Sequence, residues 1–454
     1  MADKKIEVAD VVSSPLSRRQ FLVGGALAVG GVAALGSTAF AGPLRKTSAL
    51  RSPAASSGTV TFWDMQWGAA SYSTEGAALA KTYNKMNPGR EQVAYQATTW
   101  TGWYEKFASA IASHTNPNCS SGAGYQAFQF ADAGAIQPID DLVAMLEKDG
   151  VAEDFIPSAL SSLKYHGFYV AIPWQLDIRV LYYRPSVLKS VGMEVPKTWA
   201  DLLTLGAALK KHGKYLMATA GNPSFNGWQF FPALFMFGNG GGFFNTKGDL
   251  DCLSDANMEA VEFMLQLSKD GYIDPKSVAY DQTAYMNQIG TGAAALQVGT
   301  PKWPVNFSAA IAPDIAVASP VKSPSGKTGT IFWINNLMVY NGDKNLESVY
   351  EWYAAYETLM SGYWKLGLVG GLPVRKSFAK IPAVVNDPTL LVPLQEWVPV
   401  AKTTAALGTS LSGALNSLEG STALPLLTQQ LISGSGSAKS ILTTLQQGLA
   451  EAIA

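Results

Sequence analysis

Apolar and polar positions along the chain fall into short runs of alternating type. Val60-Thr61-Phe62-Trp63 is an apolar run of strand length and predicts a buried first strand; Asp64-Met65-Gln66-Trp67-Gly68 follows as a loop. Between Glu75 and Asn87, Ala78, Leu79, Tyr83 and Met86 recur at helical spacing, and Asn87-Pro88-Gly89 stops the helix. Val93-Ala94-Tyr95 predicts a second strand and Trp103 to Ser113 a second helix. Ile136-Gln137-Pro138-Ile139-Asp140 turns into a helix over 141–149. This strand–helix–strand–helix order predicts an α/β architecture with a mostly parallel sheet.

The pattern continues downstream. Tyr165 to Pro173 reads as a hairpin around His166-Gly167, and Asp177 to Tyr183 as a strong strand. Thr198 is placed to cap a helix over 199–212. Gly238 to Gly242 is too glycine-rich to be regular. Asp255 to Asp270 reads as a helix ending at Gly271, and Ala293 to Val298 and Ile331 to Tyr340 as buried strands. Leu346 to Met360 predicts a long amphipathic helix; the tail over 411–454 is broken at Gly434-Ser435-Gly436 and ends in a helix.

Composition narrows the function. The 454 residues predict two to three domains, at about 150 residues each. Hydrophobic residues make 48% and charged residues only 15%, against roughly 25% charged in an average soluble domain. That apolar content excludes long disorder. A net charge of -1 leaves no electrostatic footprint for nucleic acid. Two cysteines exclude a disulfide scaffold and a cysteine-based zinc site. Aromatic residues reach 11%, which in so charge-poor a chain points to a stacking site.

Residues 1–41 read as an export address. Ser17-Arg18-Arg19-Gln20-Phe21-Leu22 opens a Gly/Ala-rich apolar run, and Ala39-Phe40-Ala41 is an A-x-A cleavage site. Paired arginines before a weakly hydrophobic core point to the twin-arginine route. The competing reading is an uncleaved membrane anchor, but glycines dilute the run and the small-residue site ends it. The mature chain is expected to start at Gly42, with 42–57 a flexible leader.

Catalytic motifs fail. Gly326-Lys327-Thr328 resembles the end of a Walker A loop, but Val321 stands where its first glycine belongs. Gly238 to Phe243 lacks the third glycine of a dinucleotide fingerprint. His114, His166 and His212 match no metal spacing, and no G-x-S-x-G occurs. A glycosidase dyad carries no spacing signature and stays open.

The segment from Tyr165 to Arg184, Y-H-G-F-Y-V-A-I-P-W-Q-L-D-I-R-V-L-Y-Y-R, resembles the extracellular sugar-binding proteins of ABC importers, the maltose-binding-protein-like family 1 of solute-binding proteins. Further resemblances follow in family order. They are Pro196-Lys197-Thr198-Trp199, Gly241-Gly242-Phe243-Phe244-Asn245, Gly292 to Gly299 followed by Trp303, and Gly371-Leu372-Pro373-Val374-Arg375-Lys376-Ser377. The family's segment after the second helix is degraded here to Pro117-Asn118-Cys119-Ser120-Ser121-Gly122.

The resemblance implies a two-lobed type II periplasmic-binding-protein fold, each lobe a doubly wound sheet, joined by a hinge. Lobe 1 is expected over 58–172 plus 335–378, and lobe 2 over 175–330 plus 380–454. Cys119 and Cys252 then fall in different lobes, and free thiols are expected. The implied function is capture of a carbohydrate between the lobes and its delivery to an inner-membrane ABC permease. A periplasmic monomer without cofactor, metal or catalysis is expected. Sugar recognition needs aromatic faces and hydrogen-bonding planar groups. Trp63, Gln66 and Trp67 leave the first strand towards the implied cleft, and Trp174 and Asp177 lie at the first crossing, where Asp177 reads alternatively as the ion-pair partner of Arg179 on the strand. Trp333 and Asn335 share one face of the returning strand by alternation. Trp228, Gly241, Trp303 and Arg375 complete the candidate set. The rivals are a secreted carbohydrate-active enzyme (glycosidase or lyase), a cofactor-bearing redox protein, and a receptor for a polyol or glycerophosphodiester.

Overall fold

The computed structural model describes residues 58–225, 227–342, 345–407 and 411–454; the export signal and leader lie outside the described residues. In chain order the strands are β1 Thr59–Met65, β2 Gln92–Thr98, β3 Cys119–Gly122, β4 Lys164–Tyr165, β5 Phe168–Tyr169, β6 Ile172–Ile178, β7 Val180–Tyr183, β8 Tyr215–Met217, β9 Ala294–Gly299, β10 Ala316–Val317, β11 Thr330–Val339, β12 Leu372–Pro373 and β13 Ala401–Lys402. One sheet has the order β12-β6-β11-β3-β1-β2, with β13 also on β11; a smaller one has the order β10-β7-β9-β8. Helices pack on both, giving two α/β lobes.

The expected elements form for the expected reasons. The helix Tyr72–Met86 buries Tyr72, Gly76, Leu79, Ala80 and Tyr83 as one stripe and stops at Asn87. Thr198 caps the helix Trp199–Lys211 in a reciprocal box with Asp201. His166 and Gly167 both take positive φ, 50° and 89°, as a two-residue hairpin turn between β4 and β5 requires. Helices outside the sequence expectation include Phe231–Gly238 and Gln282–Thr291. The first is buried on all sides, so it carries no polar face to give it a helical period.

The parallel order holds only in part. β1 pairs β2 and β3 in parallel, but β11 runs antiparallel to both β3 and β6, so the larger sheet is mixed. β11 is the strand that returns from the smaller lobe, and it enters from the opposite end. The degraded segment at 117–122 still supplies β3, the strand between β1 and β11.

The crossing between the sheets also differs. β6 stays in register with β11 as far as Ile178 opposite Phe332, and β7 begins pairing in the smaller sheet at Val180. The first crossing is therefore Arg179 alone, several residues beyond the expected boundary. Its amide donates to Ile331 O at 3.1 Å, and its carbonyl accepts from Thr330 Oγ1 at 2.6 Å. The tail divides as well. The helix Gly413–Glu419 lies on lobe 1, where Asn416 Nδ2 donates to Gln129 Oε1 at 2.7 Å. A Cβ at Gly413 would stand 2.8 Å from Gln129 Cα, so glycine permits this approach. Cys119 and Cys252 are both buried and are not joined in a disulfide, and burial pushes Cys252 up to about 12. Among the described residues no helix is long and apolar enough to cross a membrane.

Candidate functional site

Between the lobes lies a cleft of about 850 Å³. It opens at the carboxyl ends of β1 and β2, where an α/β sheet offers loops and backbone N–H groups to a ligand. The loop after β1 brings Gln66 and Trp67; the loop after β2 brings Trp100 and Trp103. Ring centroids are 4.9 Å apart for Trp67–Trp100 and 5.9 Å for Trp100–Trp103, both edge-on. Trp67 Nε1 donates to Ser121 Oγ at 2.9 Å, and Ser121 Oγ donates to Asp64 Oδ1 at 2.6 Å. Trp100 Nε1 donates to Gln66 O at 2.6 Å. Asp64 is fully buried, and the hydroxyls of Tyr72, Tyr95 and Tyr356 also donate to it. Burial pushes its carboxyl up to about 6, against the pull of these hydroxyls.

The floor is the β6–β11 pair. Gln175 faces Asn335, and Asp177 faces Trp333. All four line the cleft, because alternate residues of each strand share a face. Asn335 Oδ1 accepts from Gly124 N at 3.0 Å. A register shift between Asn335 and Asn336 lets Asn336 Nδ2 reach Gly124 O at 2.9 Å. Gly124 takes φ 45°, and a Cβ there would lie 2.7 Å from Trp333 Cδ1, so the close approach requires glycine. Trp333 Nε1 donates to Glu419 Oε1 at 2.6 Å, and Thr404 Oγ1 donates to the same oxygen. Burial pushes Glu419 up to about 7, opposed by these two bonds.

The hinge residue Arg179 also faces the cleft. Its Nη1 lies 2.5 Å from Asp177 Oδ1, and its Nη2 donates to Gln229 Oε1 of the second lobe. Its guanidinium lies 4.8 Å over Trp333 and 5.5 Å from Phe230. The far wall is Trp228, Phe230 and Trp303. Lys302, beside Trp303, pairs with Asp387. The cleft's two lobe-2-side cations are thus already matched by carboxylates.

Of the candidates, Gln66, Trp67, Asp177, Trp228, Trp303, Trp333 and Asn335 line the cleft; Trp63, Trp174, Gly241 and Arg375 do not. β1 runs two residues further than expected. Trp63 therefore lies within the sheet, 5.6 Å from Phe107 and under the Lys106 ammonium. Trp174 alternates away from the Gln175 face and packs behind Trp67 at 5.5 Å. At Gly241 a Cβ would lie 2.1 Å from Asn257 Oδ1, so its role is packing. Arg375 is held within lobe 1 by Asp154 at 2.8 Å and by Glu357 O at 2.6 Å. Trp100, Trp103, Gln175, Arg179 and Glu419 also line the cleft and lie outside the candidate set. Trp100-Thr101-Gly102-Trp103 had a usable signal: two tryptophans in the loop after a predicted strand, the argument already applied to Trp67.

Two α/β lobes joined at single-residue and short crossings, with an aromatic cleft between them, define the class of two-lobed solute-binding proteins. The chain belongs to the bacterial extracellular solute-binding protein family, whose model matches residues 69–358. A sugar transporter from Arthrobacter chlorophenolicus A6, solved with bound laminaribiose, is 37% identical; the match covers 87% of this chain and 99% of that one at a TM-score of 0.81. The GacH receptor of Streptomyces glaucescens GLA.O, solved unliganded and with acarbose, shares the fold at 24% identity and a TM-score of 0.72, covering 87% and 98%. The sn-glycerol-3-phosphate-binding periplasmic protein UgpB of Shigella dysenteriae is 27% identical over 243 residues, 49% of this chain and 52% of that protein. The chain spans about half the length of the curated relatives it matches.

Proposed function

We propose that this protein captures an uncharged di- or oligosaccharide between its lobes and presents it to a membrane-embedded ABC importer, without catalysing a reaction on it. The observation that carries this is the cleft: room for more than one sugar ring, tryptophans on both walls, and a polar floor whose charges are already matched. Tryptophan faces take the C–H faces of pyranose rings, and the floor amides take hydroxyls. The laminaribiose held by the Arthrobacter relative supports a carbohydrate ligand. Gln66, Trp67, Trp100, Trp103, Asp177, Trp228, Trp303, Trp333 and Asn335 are the contacts proposed. A ligand that touches both walls only when they are close favours the closed state by its differential affinity. Export by the twin-arginine route, action as a monomer outside the cytoplasm and the absence of a nucleic-acid partner belong to the same proposal.

The UgpB resemblance favours a second ligand class, a glycerol phosphate. A phosphate would call for unmatched cations, and here Arg179 is bonded to Asp177 and Lys302 to Asp387. The glycosidase reading would need two carboxyl groups positioned for the reaction. At the floor Asp177 is engaged by Arg179, and Glu419 by Trp333 and Thr404. A thermal-shift screen separates these readings. Laminaribiose, maltose or a related oligosaccharide is expected to raise the melting temperature by mass action and to be recovered intact. A shift with sn-glycerol 3-phosphate alone, or hydrolysis of the sugar, would overturn the proposal.

A further inference from the structure

Three buried polar atoms on the cleft floor have no hydrogen-bond partner among the described residues: Gln175 Oε1, Asn335 Nδ2 and Arg179 Nε. Their residues are only 2%, 1% and 6% exposed, and all three line the cleft. Buried polar groups are nearly always satisfied, because stripping water from one without replacing its bond is costly. The surrounding protein does not relieve them. Asn335 is anchored through its oxygen to Gly124 N, which fixes where its amide nitrogen points. Gln175 Oε1 is confined by Gly371, where a Cβ would stand 2.2 Å from it. Gln175 and Asn335 are direct cross-strand partners on β6 and β11, so a residue with an unsatisfied acceptor stands opposite a residue with an unsatisfied donor.

We infer that Gln175 and Asn335 together read two adjacent hydroxyl groups of the ligand, a vicinal diol; this rests on the carbohydrate reading above. A hydroxyl both donates and accepts. One hydroxyl donates to Gln175 Oε1, and its neighbour accepts from Asn335 Nδ2. The Trp333 ring, one rung along the same face, supports the sugar beside them. The pair is a specificity element, since a ring lacking either hydroxyl leaves one floor atom buried and unsatisfied.

The inference predicts effects of opposite sign. Gln175→Met keeps the length of the side chain and removes the orphaned oxygen. The melting temperature without sugar should be unchanged or higher, while affinity for the tightest binder among laminaribiose, maltose and xylobiose should fall about tenfold. Asn335→Asp keeps the acceptor for Gly124 N and removes the donor, and should weaken the same sugar. Wild type should lose affinity for singly deoxygenated versions of that sugar, and Gln175→Met should no longer discriminate at the hydroxyl it reads. If the wild type binds the sugar and Gln175→Met binds it equally well, this inference fails and the carbohydrate reading stands. A marked fall in melting temperature for Gln175→Met also overturns it, because the amide would then be structural. If the wild type binds none of the three sugars, both fail.

Discussion

The two walls of the cleft are built by different means. On lobe 1 two of the cleft tryptophans are tethered: Trp67 to Ser121 and through it to Asp64, and Trp100 to the Gln66 carbonyl. On lobe 2 the rings are held by packing. Trp303 lies 5.9 Å from Tyr285 with its Nε1 buried and unbonded, and Trp228 lies against Phe243 and Trp333 at 5.4 and 6.3 Å. A directional bond fixes a ring in one orientation, whereas packing fixes its volume and leaves its tilt adjustable. Lobe 1 is thus a preset template and lobe 2 a surface that can conform to what the template holds. Such a division lowers the entropy lost on binding, since half of the contact surface is ordered in advance.

The heaviest blow to this contrast is Asp64→Ala. It removes the acceptor shared by Ser121, Tyr72, Tyr95 and Tyr356, leaving buried hydroxyls without a partner. At pH 5, where the carboxyl is mostly protonated and no buried charge is relieved, it should cost about 3–5 kcal/mol of unfolding free energy. Sugar affinity should fall with it as Trp67 loses its tether. Chemical denaturation measures the first and titration calorimetry the second. A loss of stability below about 1 kcal/mol would show that the cluster does not hold the template.

Acidity tests the same contrast without mutation. Asp64 and Glu419 support Trp67 and Trp333, and burial raises both, to about 6 and about 7. A raised carboxyl holds its proton more tightly folded than unfolded. Its contribution is complete below the unfolded value near pH 4 and is lost as pH rises through 6 to 7. On lobe 2, burial pushes Asp314 and Asp387 up, but hydrogen bonds and their cations Arg184 and Lys302 outweigh it and hold both below the usual range. Asp154, beside Ser377 and Arg375 on lobe 1, behaves alike. These three stabilise above pH 4 and lose that contribution as pH falls through their folded values. Glu357 adds in the same direction as Asp64 and Glu419, since burial pushes it up to about 8 against the pull of Arg375. Unfolding free energy should therefore rise by about 4 kcal/mol or more from pH 8 to pH 5, then fall on further acidification. Denaturant melts across that range check it; a monotonic fall from pH 8 downward would contradict the burial of the three raised carboxyls.

What the sequence disclosed follows this division. Strands and helices with a clear period were legible, and so was the Trp333–Asn335 face, because alternation on a strand needs only local information. The Arg179–Asp177 ion pair was legible from their spacing on the strand, but the place of Arg179 as the one residue between two sheets is a fact of pairing rather than of composition. Glu419 reaches Trp333 from 86 residues away, and no local pattern records that contact. Trp63 and Trp174 misled for a related reason. An error of two residues in where a strand ends puts a sheet side chain in the loop, and an error of one residue along it changes which face of the sheet the side chain occupies. Trp100 and Trp103 were within reach of the rule that loops at the carboxyl ends of parallel strands face the ligand.

The smallest expected effect isolates the tether itself. Trp100→Phe and Trp303→Phe remove the same atoms, but only the first breaks a hydrogen bond, that of Nε1 to Gln66 O at 2.6 Å. At Trp303 the lost N–H had no partner, so its removal takes away an unsatisfied group. Losing the Trp100 bond should cost about 1 kcal/mol, or about fivefold in sugar affinity, because the Gln66 loop and the Trp67 edge are freed together. Trp303→Phe should change affinity by no more than about twofold, since an adjustable wall can close over a smaller ring. Titration of both variants with the same oligosaccharide reads the difference directly. Equal losses would mean that ring area alone sets the affinity and that the tethers of lobe 1 contribute nothing to binding.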